Sequence, residues 1–290
     1  MRKIAIIGAG NVGKVLGCAL KKKGYRITSA FSRSEKSREM AANLFQCPVY
    51  SEPEKAAYEA DVVFLTTPDR VIEEVCVSIA LKKGFRKGQV VLHTSGAHSS
   101  TILISARDMG ADVLSFHPLQ TFPELEAGLR SLPGTFFAVE GDEKALPLAE
   151  ELVVAMEGKM LTIPTEMKPL YHAAACVACN YLVSLMDVAL RMYRVMEISP
   201  EKAFEALSPL IFSTMGNIKA LGPEKALTGP VSRGDSSTIS SHIDIMRKLT
   251  PELLPLYRSL GLYTVDLALK KGTLDKEGEE KIKKLLGGLK

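Results

Sequence analysis

A short glycine-rich segment near the start of the chain has the spacing needed to bind a diphosphate. Gly8-Ala9-Gly10-Asn11-Val12-Gly13 lies where an apolar run, Lys3–Gly8, meets a helical pattern, Asn11–Lys23. Gly8 permits a tight turn, Gly10 lets the backbone approach the ligand, and Gly13 lets the helix pack closely on the strand. The free N–H groups at the start of the helix favour negative charge. We therefore expect Gly8, Ala9, Gly10, Asn11, Val12 and Gly13 to hold the pyrophosphate of a dinucleotide.

The end of the second apolar run indicates which dinucleotide is bound. A site for NAD normally has Asp or Glu there, about 20 residues after the glycines, to bind the ribose hydroxyls. This chain has Phe31-Ser32-Arg33-Ser34 instead, with no carboxylate before Glu35. Because a guanidinium pairs bidentately with phosphate, Ser32, Arg33 and Ser34 favour the 2′-phosphate of NADP. The alternative is that Arg33 is an ordinary solvated loop residue.

Polar segments follow three further strand patterns, and ligands of open α/β sheets bind at the carboxyl ends of strands. Thr66, Thr67 and Pro68 are expected beside the cofactor, with turn formation and helix capping as the alternative. The second segment spans residues 93–100, and its Ser95 is a candidate hydrogen-bond partner of the substrate. The third spans residues 115–120, and its His117 is a candidate proton donor. Three of the five histidines lie in the last two segments.

Lys168 and His172 open a long helical pattern and, being four residues apart, share one helix face. His172 is a candidate proton donor, and Lys168 is a candidate for polarising a carbonyl group. The alternative is a solvated lysine and a hydrogen-bonded core histidine. Later in the chain, Arg233 lies in a polar segment, residues 228–235, and is a candidate clamp for a carboxylate or phosphate of the substrate. The alternative there is a helix connector in which Asp235 or Ser236 caps the next helix.

Other reactive side chains have simpler interpretations. Cys176 and Cys179 are one turn apart inside a helical pattern, whereas a redox pair belongs at a strand–helix junction. A zinc site built on them and His172 would still want a fourth ligand. We therefore interpret both cysteines as packing residues and predict no metal site. His242 is likewise expected to be a surface or packing residue.

These candidates require a scaffold, and the first half of the chain alternates strand and helix patterns. Seven strands are predicted: Lys3–Gly8, Arg26–Phe31, Asp61–Thr66, Gln89–His93, Asp112–Phe116, Thr135–Glu140 and Lys159–Ile163. They are rich in Ile, Val and Leu, as in parallel sheets that are buried on both faces. The prediction is an α/β fold, a doubly wound parallel Rossmann sheet over residues 1–163.

After Pro164 the pattern becomes wholly helical. Helices are predicted at Glu166–Met196, Pro200–Leu221, Thr238–Leu249, Pro251–Lys271 and Asp275–Leu286. We therefore expect residues 164–290 to form an all-α domain for substrate binding and dimerisation. The first of these helices would be about 45 Å long. Its apolar residues occupy more than one face, which predicts packing against a second subunit.

Composition excludes several other classes of protein. The 290 residues carry a net charge of +4 without a long basic run, which argues against nucleic-acid binding. Interruptions keep every strictly apolar run shorter than the ~18 residues that span a bilayer. The five scattered cysteines, with no N-terminal signal pattern, indicate reduced thiols. We expect a soluble cytoplasmic protein with no membrane partner.

Taken together, the motifs resemble a bacterial family that joins a Rossmann-like NADP-binding domain to a C-terminal domain of unknown function (DUF2520). The resemblance covers the whole chain and rests on the glycine motif and four further segments: His93–Gly96, Phe116–Phe122, Tyr171–Ala174 and Gly229–Asp235. It implies kinship with pyrroline-5-carboxylate reductase, ketopantoate reductase, 6-phosphogluconate dehydrogenase and the deazaflavin-dependent NADP reductases. Those proteins also imply a homodimer formed through the helical domain, in which Arg233 could come from the partner subunit.

The resemblance also implies a class of reaction. The hydroxyacid branch of that superfamily has a lysine, with an asparagine four residues later, at the start of the long helix. Lys168 matches the lysine, whereas His172 stands at the asparagine position and, unlike an amide, can titrate. The expected function is hydride transfer between NADP(H) and a small molecule in an interdomain cleft, the substrate being a keto or hydroxy acid, an imine or a deazaflavin. The alternative is a non-catalytic, redox-sensing module that binds NADP(H).

Overall fold

The computed structural model describes residues 2–287 and contains an eight-stranded sheet. Its strands are β1 (Lys3–Ile7), β2 (Arg26–Phe31), β3 (Val49–Tyr50), β4 (Val62–Leu65), β5 (Val90–His93), β6 (Asp112–Pro118), β7 (Phe136–Gly141) and β8 (Lys159–Thr162). Their order across the sheet is β3-β2-β1-β4-β5-β6-β7-β8. The order changes direction beside β1, which places a Rossmann switch point next to the glycine motif. The predicted α/β fold is thus confirmed.

Eight helices accompany the sheet: α1 (Asn11–Lys22), α2 (Glu35–Phe45), α3 (Pro53–Tyr58), α4 (Ile72–Leu81), α5 (Ile104–Asp108), α6 (Leu125–Ser131), α7 (Leu146–Ala155) and α8 (Lys168–Ala178). Successive side chains of a strand point to opposite faces. In β1, Ile4 and Ile6 join one buried cluster, while Ala5 and Ile7 join the other. The sheet is therefore buried on both faces, as its continuous apolarity predicts. Strand β3 and helices α3 and α6 are absent from the sequence-based prediction.

The prediction of a wholly parallel sheet is wrong at one place. Strands β6 and β7 pair antiparallel, with His117 opposite Ala138, whereas the other pairs are parallel across the described sheet. A parallel pair needs a crossover that returns the chain to the starting edge. Here the connection contains α6, which packs against α1 instead of running back along the sheet. Strand β7 consequently starts from the edge where β6 ends.

The second half of the chain is helical, as predicted. It contains α9 (Asn180–Val195), α10 (Pro200–Ala226), α11 (Ser236–Leu249), α12 (Leu254–Lys271) and α13 (Lys276–Leu286). A separate core joins α11, α12 and α13 through Ile239, Ile243, Val265, Ala268 and Ile282. Helix α10 bends at Gly222, whose φ of 78° is not helical, close to the predicted helix end at Leu221.

The single long helix predicted for Glu166–Met196 is instead two helices. The break lies at Cys179, where φ is −115° and ψ is −65°. Two compact units also divide here, one ending at Cys179 and the other beginning at Asn180. Helix α8 therefore belongs to the unit that contains the sheet. The domain boundary after residue 163 stays a prediction, since it marks the change in sequence pattern rather than this division of contacts.

Exposed apolar side chains recur along Thr165–Val195. By length and composition, Thr165–Val195 is the one stretch of the described chain that could cross a membrane, with a mean hydropathy of 1.7 over 18 residues. That window is unburied within the chain. Tyr181, Val183 and Val195 are among its exposed large side chains. The sequence analysis expected no membrane partner because every strictly apolar run is short, and this finding qualifies that expectation. The exposed apolar side chains of this stretch have no partner in the described chain.

Candidate active site

The glycine motif forms the loop between β1 and α1. Gly8 has a φ of +113°, and a Cβ atom on it would lie 2.9 Å from the carbonyl oxygen of Thr66 and 2.9 Å from the amide nitrogen of Thr67. A Cβ on Gly13 would lie 2.5 Å from Oγ1 of Thr66, whereas a Cβ on Gly10 would have no neighbour within 4 Å in the described chain. Among described residues, no side chain caps α1. The loop therefore fits a diphosphate: two glycines allow close packing, and the third faces open space.

Neighbouring segments hold this loop in place. The hydroxyl of Thr66 donates a hydrogen bond to the carbonyl of Gly8 at 2.6 Å. Nδ2 of Asn11 donates to the carbonyls of Phe122, at 3.1 Å, and Pro123, at 2.7 Å. Ala9 and Val12 pack on the core below the loop. Thr67, the next residue after Thr66, has a buried hydroxyl with no partner among described residues, and Pro68 is exposed.

Two arginines shape the segment after β2: one is unpaired among described residues, and the other holds the turn through hydrogen bonds to its carbonyls. Arg33 is exposed, and its guanidinium forms no hydrogen bond or ion pair with a described residue. Ser34 caps α2, since its Oγ accepts from the amide of Ser37 at 3.2 Å. The guanidinium of Arg38 donates to the carbonyls of Ser32, at 3.3 Å, and Arg33, at 2.8 Å. Sequence reasoning missed Arg38, because these bonds depend on the turn's geometry.

Loops that carry the candidate residues emerge from adjacent strands. Strands β1, β4, β5 and β6 are consecutive in the sheet and parallel, so their carboxyl ends share one edge. At the usual spacing of about 4.8 Å, β1 and β6 are about 14 Å apart. The dinucleotide loop and the histidine segments therefore lie along a common edge.

His93 organises the loop after β5. It is fully buried; its Nδ1 accepts from the amide of Ser95 at 3.1 Å, and its Nε2 lies 3.1 Å from the carbonyl of Ser99. Burial lowers the pKa of His93 to about 3, so the ring is neutral. Oγ of Ser95 accepts from the amides of Ala97 and His98, both at 3.1 Å. The oxygen of Ser95 thus closes the loop, while its role toward a substrate stays a prediction.

Four polar side chains meet beside Gly96. A Cβ on Gly96 would lie 2.6 Å from Nδ1 of His172 and 2.8 Å from Nε2 of His117. Nδ1 of His117 and the hydroxyl of Tyr171 share a hydrogen bond of 2.8 Å. Nζ of Lys168 lies 5.4 Å from the centre of the Tyr171 ring. We call His117, Lys168, Tyr171 and His172 the polar cluster; the sequence predicted three of them, and only the fold adds Tyr171.

Two atoms of the polar cluster are buried without partners. Nζ of Lys168 and Nδ1 of His172 have no hydrogen-bond partner among described residues. The other ring nitrogen of His172 lies 3.5 Å from Sγ of Cys176. Buried polar atoms are normally satisfied, so such exceptions require an explanation. Two such atoms in one cluster, Nδ1 of His172 beside Gly96 and Nζ of Lys168 beside Tyr171, make this the strongest candidate for ligand contact.

The pKa values within the polar cluster identify the group that titrates near neutral pH. Burial lowers the pKa of Lys168 from 10.5 to about 8. Burial, and secondarily the charge of Lys168, lowers the pKa of His117 to about 3. Burial raises the pKa of Tyr171 to about 12. At neutral pH, Lys168 is therefore a cation beside a neutral imidazole and a neutral phenol, which favours Lys168 over His117 as proton donor.

A buried carboxylate that the sequence analysis missed lies behind the polar cluster. Glu140, in β7, is 2 % exposed and accepts hydrogen bonds from the amide of Ser100, at 2.7 Å, and the hydroxyl of Ser100, at 2.9 Å. The hydroxyl of Thr165 donates a third, at 2.8 Å. A charged residue in an otherwise apolar strand was the available signal. Its partners lie 25 to 40 residues away, so the sequence could not name them.

The remaining candidates lie in the second unit. Arg233 is exposed and lines a cavity of about 440 Å³ with the first turns of α11 and α13. Asp235 caps α11 by accepting from the amide of Thr238 at 3.0 Å, so of the two capping candidates it is Asp235 that acts. The hydroxyl of Thr238 also donates to Asp235, at 2.6 Å, and this bond, together with the amide bond, lowers the pKa of Asp235 to about 2. His242 forms a hydrogen bond of 2.9 Å with Tyr257, in agreement with a packing role.

Two family models match the chain in succession. A Rossmann-like domain matches residues 1–118, and a domain of unknown function, DUF2520, matches residues 135–264. The two matches follow one another along the chain and do not overlap. His117 and Gly96 come from the Rossmann-like match, whereas Lys168, Tyr171 and His172 come from the DUF2520 match. The polar cluster is thus built from both domains.

Several solved structures are similar to this chain in fold. A Bacteroides fragilis protein, provisionally described as an NADP oxidoreductase, is 22 % identical with a TM-score of 0.75, over 91 % of this chain and 98 % of its own. Protein TM1727 from Thermotoga maritima is 27 % identical with a TM-score of 0.73, over 92 % and 99 %. A reductive aminase from Aspergillus terreus, in complex with NADPH and ethyl levulinate, is 16 % identical with a TM-score of 0.67 over both full lengths. A search of curated proteins found no match.

Proposed function

We propose that this protein is an NADP(H)-dependent oxidoreductase that reduces the carbonyl group of a small molecule at the polar cluster. The observation that carries the proposal is the buried ammonium of Lys168, unpartnered among described residues, beside the hydrogen-bonded pair of Tyr171 and His117. This cluster lies along the same edge of the sheet as a loop that fits a diphosphate. The two features together supply a cofactor site and a place for a reacting group.

NADP(H) suits the residues at the β1 and β2 ends of the sheet. The glycine loop would hold the pyrophosphate, and the free guanidinium of Arg33, on a turn ordered by Arg38, would hold the 2′-phosphate. The Aspergillus terreus protein was crystallised with NADPH, whereas the V8 variant of an imine reductase from Myxococcus stipitatus with a similar fold was crystallised with NAD⁺. The preference for NADP therefore rests on Arg33 and not on the fold. When bound, NADPH supplies a hydride to the substrate.

The charge of Lys168 favours a carbonyl substrate over an imine. When the carbonyl carbon accepts a hydride, negative charge develops on its oxygen, and a buried ammonium stabilises that charge strongly. Lys168, with a pKa of about 8, can then deliver a proton to the oxygen, which completes the alcohol. An iminium substrate would instead bring a second positive charge into the same site. Reduction of a keto acid to a hydroxy acid is thus the reaction that this cluster supports best.

The other members of the polar cluster would orient the substrate. Tyr171 stays protonated near neutral pH and shares its hydrogen bond with His117, which fixes the phenol. Nδ1 of His172, buried and free of partners among described residues, can bond a substrate polar group. Gly96 lets both imidazoles pack against the backbone of its loop, because any larger residue would contact both of them. Arg233 as the clamp for a substrate carboxylate remains part of the proposal.

NADPH consumption across a panel of keto acids, imines and oxidised deazaflavin tests the reaction. We expect turnover with a keto acid, and we expect kcat/KM to fall by about 10²-fold or more in Lys168→Met. Turnover of imines alone would refute the choice of a carbonyl. Tight NADPH binding without turnover of any substrate would favour the redox-sensing module instead. Arg233→Ala should raise KM for the keto acid without changing NADPH affinity.

Calorimetry tests the cofactor assignment independently of any substrate. Arg33→Ala should weaken NADPH binding by about tenfold or more while leaving NADH binding unchanged, because only NADPH has the 2′-phosphate. Arg247→Ala removes another exposed arginine, one that pairs with Asp244 in the second unit, and serves as the matched control. Equal losses for both nucleotides would contradict the assignment of Arg33.

We also propose that the protein is a soluble homodimer formed through its helical half. Tyr181, Val183, Leu210 and Phe212, on α9 and α10, are each 59 % to 71 % exposed within the chain. Large exposed apolar side chains on two helices that contact each other are typical of an interaction site. Sedimentation equilibrium without detergent should give twice the chain mass, and Val183→Glu should give the monomer. A protein that requires detergent for extraction would support membrane association of Thr165–Val195 instead.

A further inference from the structure

Lys168 carries a buried ammonium group without a contacting counter-ion in the described chain. Its side chain is fully buried, its Nζ has no hydrogen-bond partner, and no carboxylate oxygen lies within 4.0 Å of it in the described chain. An isolated ammonium in such a position would lose its proton. Its pKa nevertheless stays at about 8, because carboxylates beyond contact distance favour the charged form, Glu140 first and Asp69 second. Of the two, only Glu140 is buried, and Asp69 lies on an exposed turn.

The hydrogen bonds of Glu140 use both oxygens of its carboxyl group. Its Oε1 accepts from the amide of Ser100, and its Oε2 accepts from the hydroxyls of Ser100 and Thr165. All three partners can donate, which is what the oxygens of an ionised carboxylate require. Neutral donors therefore occupy these oxygens, and no cation of the described residues contacts them.

Glu140 also joins the two segments that form the site. Ser100 begins the 3-10 turn Ser100–Leu103, which follows the loop containing Gly96. Thr165 begins the 3-10 turn Thr165–Met167, which leads directly into Lys168. The carboxylate thus fixes the start of α8 against the loop opposite it. A change at this one residue would alter both the position and the electrostatic surroundings of Lys168.

We propose that Glu140 is the positioning residue of this site: a buried, non-contacting counter-ion that keeps Lys168 an ammonium while leaving its N–H donors free for an oxygen of the substrate. A direct ion pair would occupy those donors, and without the counter-ion the amine would hold its proton less tightly. The contact between these N–H donors and a substrate oxygen rests on the proposed function, whereas the effect of Glu140 on the charge of Lys168 does not.

Other titratable groups also face Lys168. Asp69 follows β4, and His93 and His117 lie on β5 and β6. Tyr171 and His172 lie on the same helix as Lys168. The two strand histidines carry no charge at neutral pH, because burial lowers their pKa values to about 3. Tyr171 is also neutral, with a pKa of about 12. Glu140 is thus the buried anion that acts on Lys168.

A direct titration of Lys168 tests this proposal without cofactor or substrate. Protein labelled with ¹³C at lysine Cε would be titrated by NMR, with Lys168→Arg used to assign the signal. We expect a midpoint near pH 8 in the wild type. Glu140→Gln, which keeps the size but removes the charge, should lower the midpoint by about 1 pH unit or more. Thr165→Val, which removes a hydrogen bond but no charge, is the matched control and should leave the midpoint unchanged.

Two outcomes would overturn the proposal: an unchanged midpoint in Glu140→Gln, or an equal decrease in Thr165→Val. If Glu140→Gln does not fold, the double variant with Lys168→Met decides the matter. Recovery of folding in the double variant supports charge compensation, since removing the ammonium removes the need for its counter-ion. Failure of the double variant to fold assigns Glu140 a purely structural role. Either result leaves the proposed reaction open to its own assays.

Discussion

Replacing Lys168 by methionine should make the protein more stable at neutral pH while impairing its activity. Methionine keeps an unbranched side chain of similar length but removes an ammonium that is buried without a hydrogen bond among described residues. Burial of an unpaired charge opposes folding. The buried ammonium therefore lowers the free energy of unfolding, and Lys168→Met should raise it at the cost of activity.

The magnitude follows from the pKa of Lys168. The unfolded chain has the ordinary value of 10.5 and the folded protein a value of about 8. A decrease of about 2.5 in pKa corresponds to about 3 kcal/mol of opposition to folding, which is fully present below pH 8. Between pH 8 and pH 10.5 the unfolded chain retains this proton and the folded protein does not, so the free energy of unfolding rises with pH. The advantage of Lys168→Met should therefore shrink by about 3 kcal/mol across that interval.

Guanidinium denaturation of the wild type and the variant, at steps from pH 7 to pH 10.5, measures this difference. Contributions from other titrating groups cancel when the two curves are subtracted. Lys159→Met, at an exposed position on β8, controls for the loss of one positive charge. A difference in unfolding free energy that is independent of pH would refute the reasoning. So would a variant less stable than the wild type at pH 7.

Three further expectations rest on the same geometry. Gly96→Ala would place a methyl group 2.6 Å from a ring nitrogen of His172, so kcat/KM should fall by about tenfold or more. The NADPH affinity measured by calorimetry should be retained. Gly216→Ala is the control, because a methyl group there would have no neighbour within 4 Å in the described chain. Gly13→Ala should lower the free energy of unfolding by about 1–3 kcal/mol in chemical denaturation and weaken NADPH binding, because its methyl group would overlap the loop that Gly13 packs against. The ring of His117 should remain neutral until the pH approaches about 3, as followed by ¹⁵N NMR, and stability should fall as the pH drops below 6.5; a titration midpoint near 6.5 would contradict the assigned burial.

Much of the scaffold follows from local patterns in the sequence. The strands β1, β2, β4, β5 and β6 and the helices α1, α2, α4 and α5 repeat short periods of apolar residues, which require no knowledge of distant contacts. The glycine motif carries its own backbone requirements, and Gly8 and Gly13 meet them in the structure. Lys168, His172 and His117 were identifiable because polar, titratable side chains stand at strand ends and at a helix start.

Features that depend on non-local contacts were decided only by the tertiary structure. The antiparallel pairing of β7 depends on where α6 packs, and the break at Cys179 interrupts a pattern whose apolar period continues unbroken. Tyr171 and Glu140 enter the site through hydrogen bonds to residues 25 to 54 positions away. The sequence determined which groups were available for chemistry. The fold determined their burial, and through burial it determined that Lys168 is the charged group that titrates near neutral pH while His117 stays neutral.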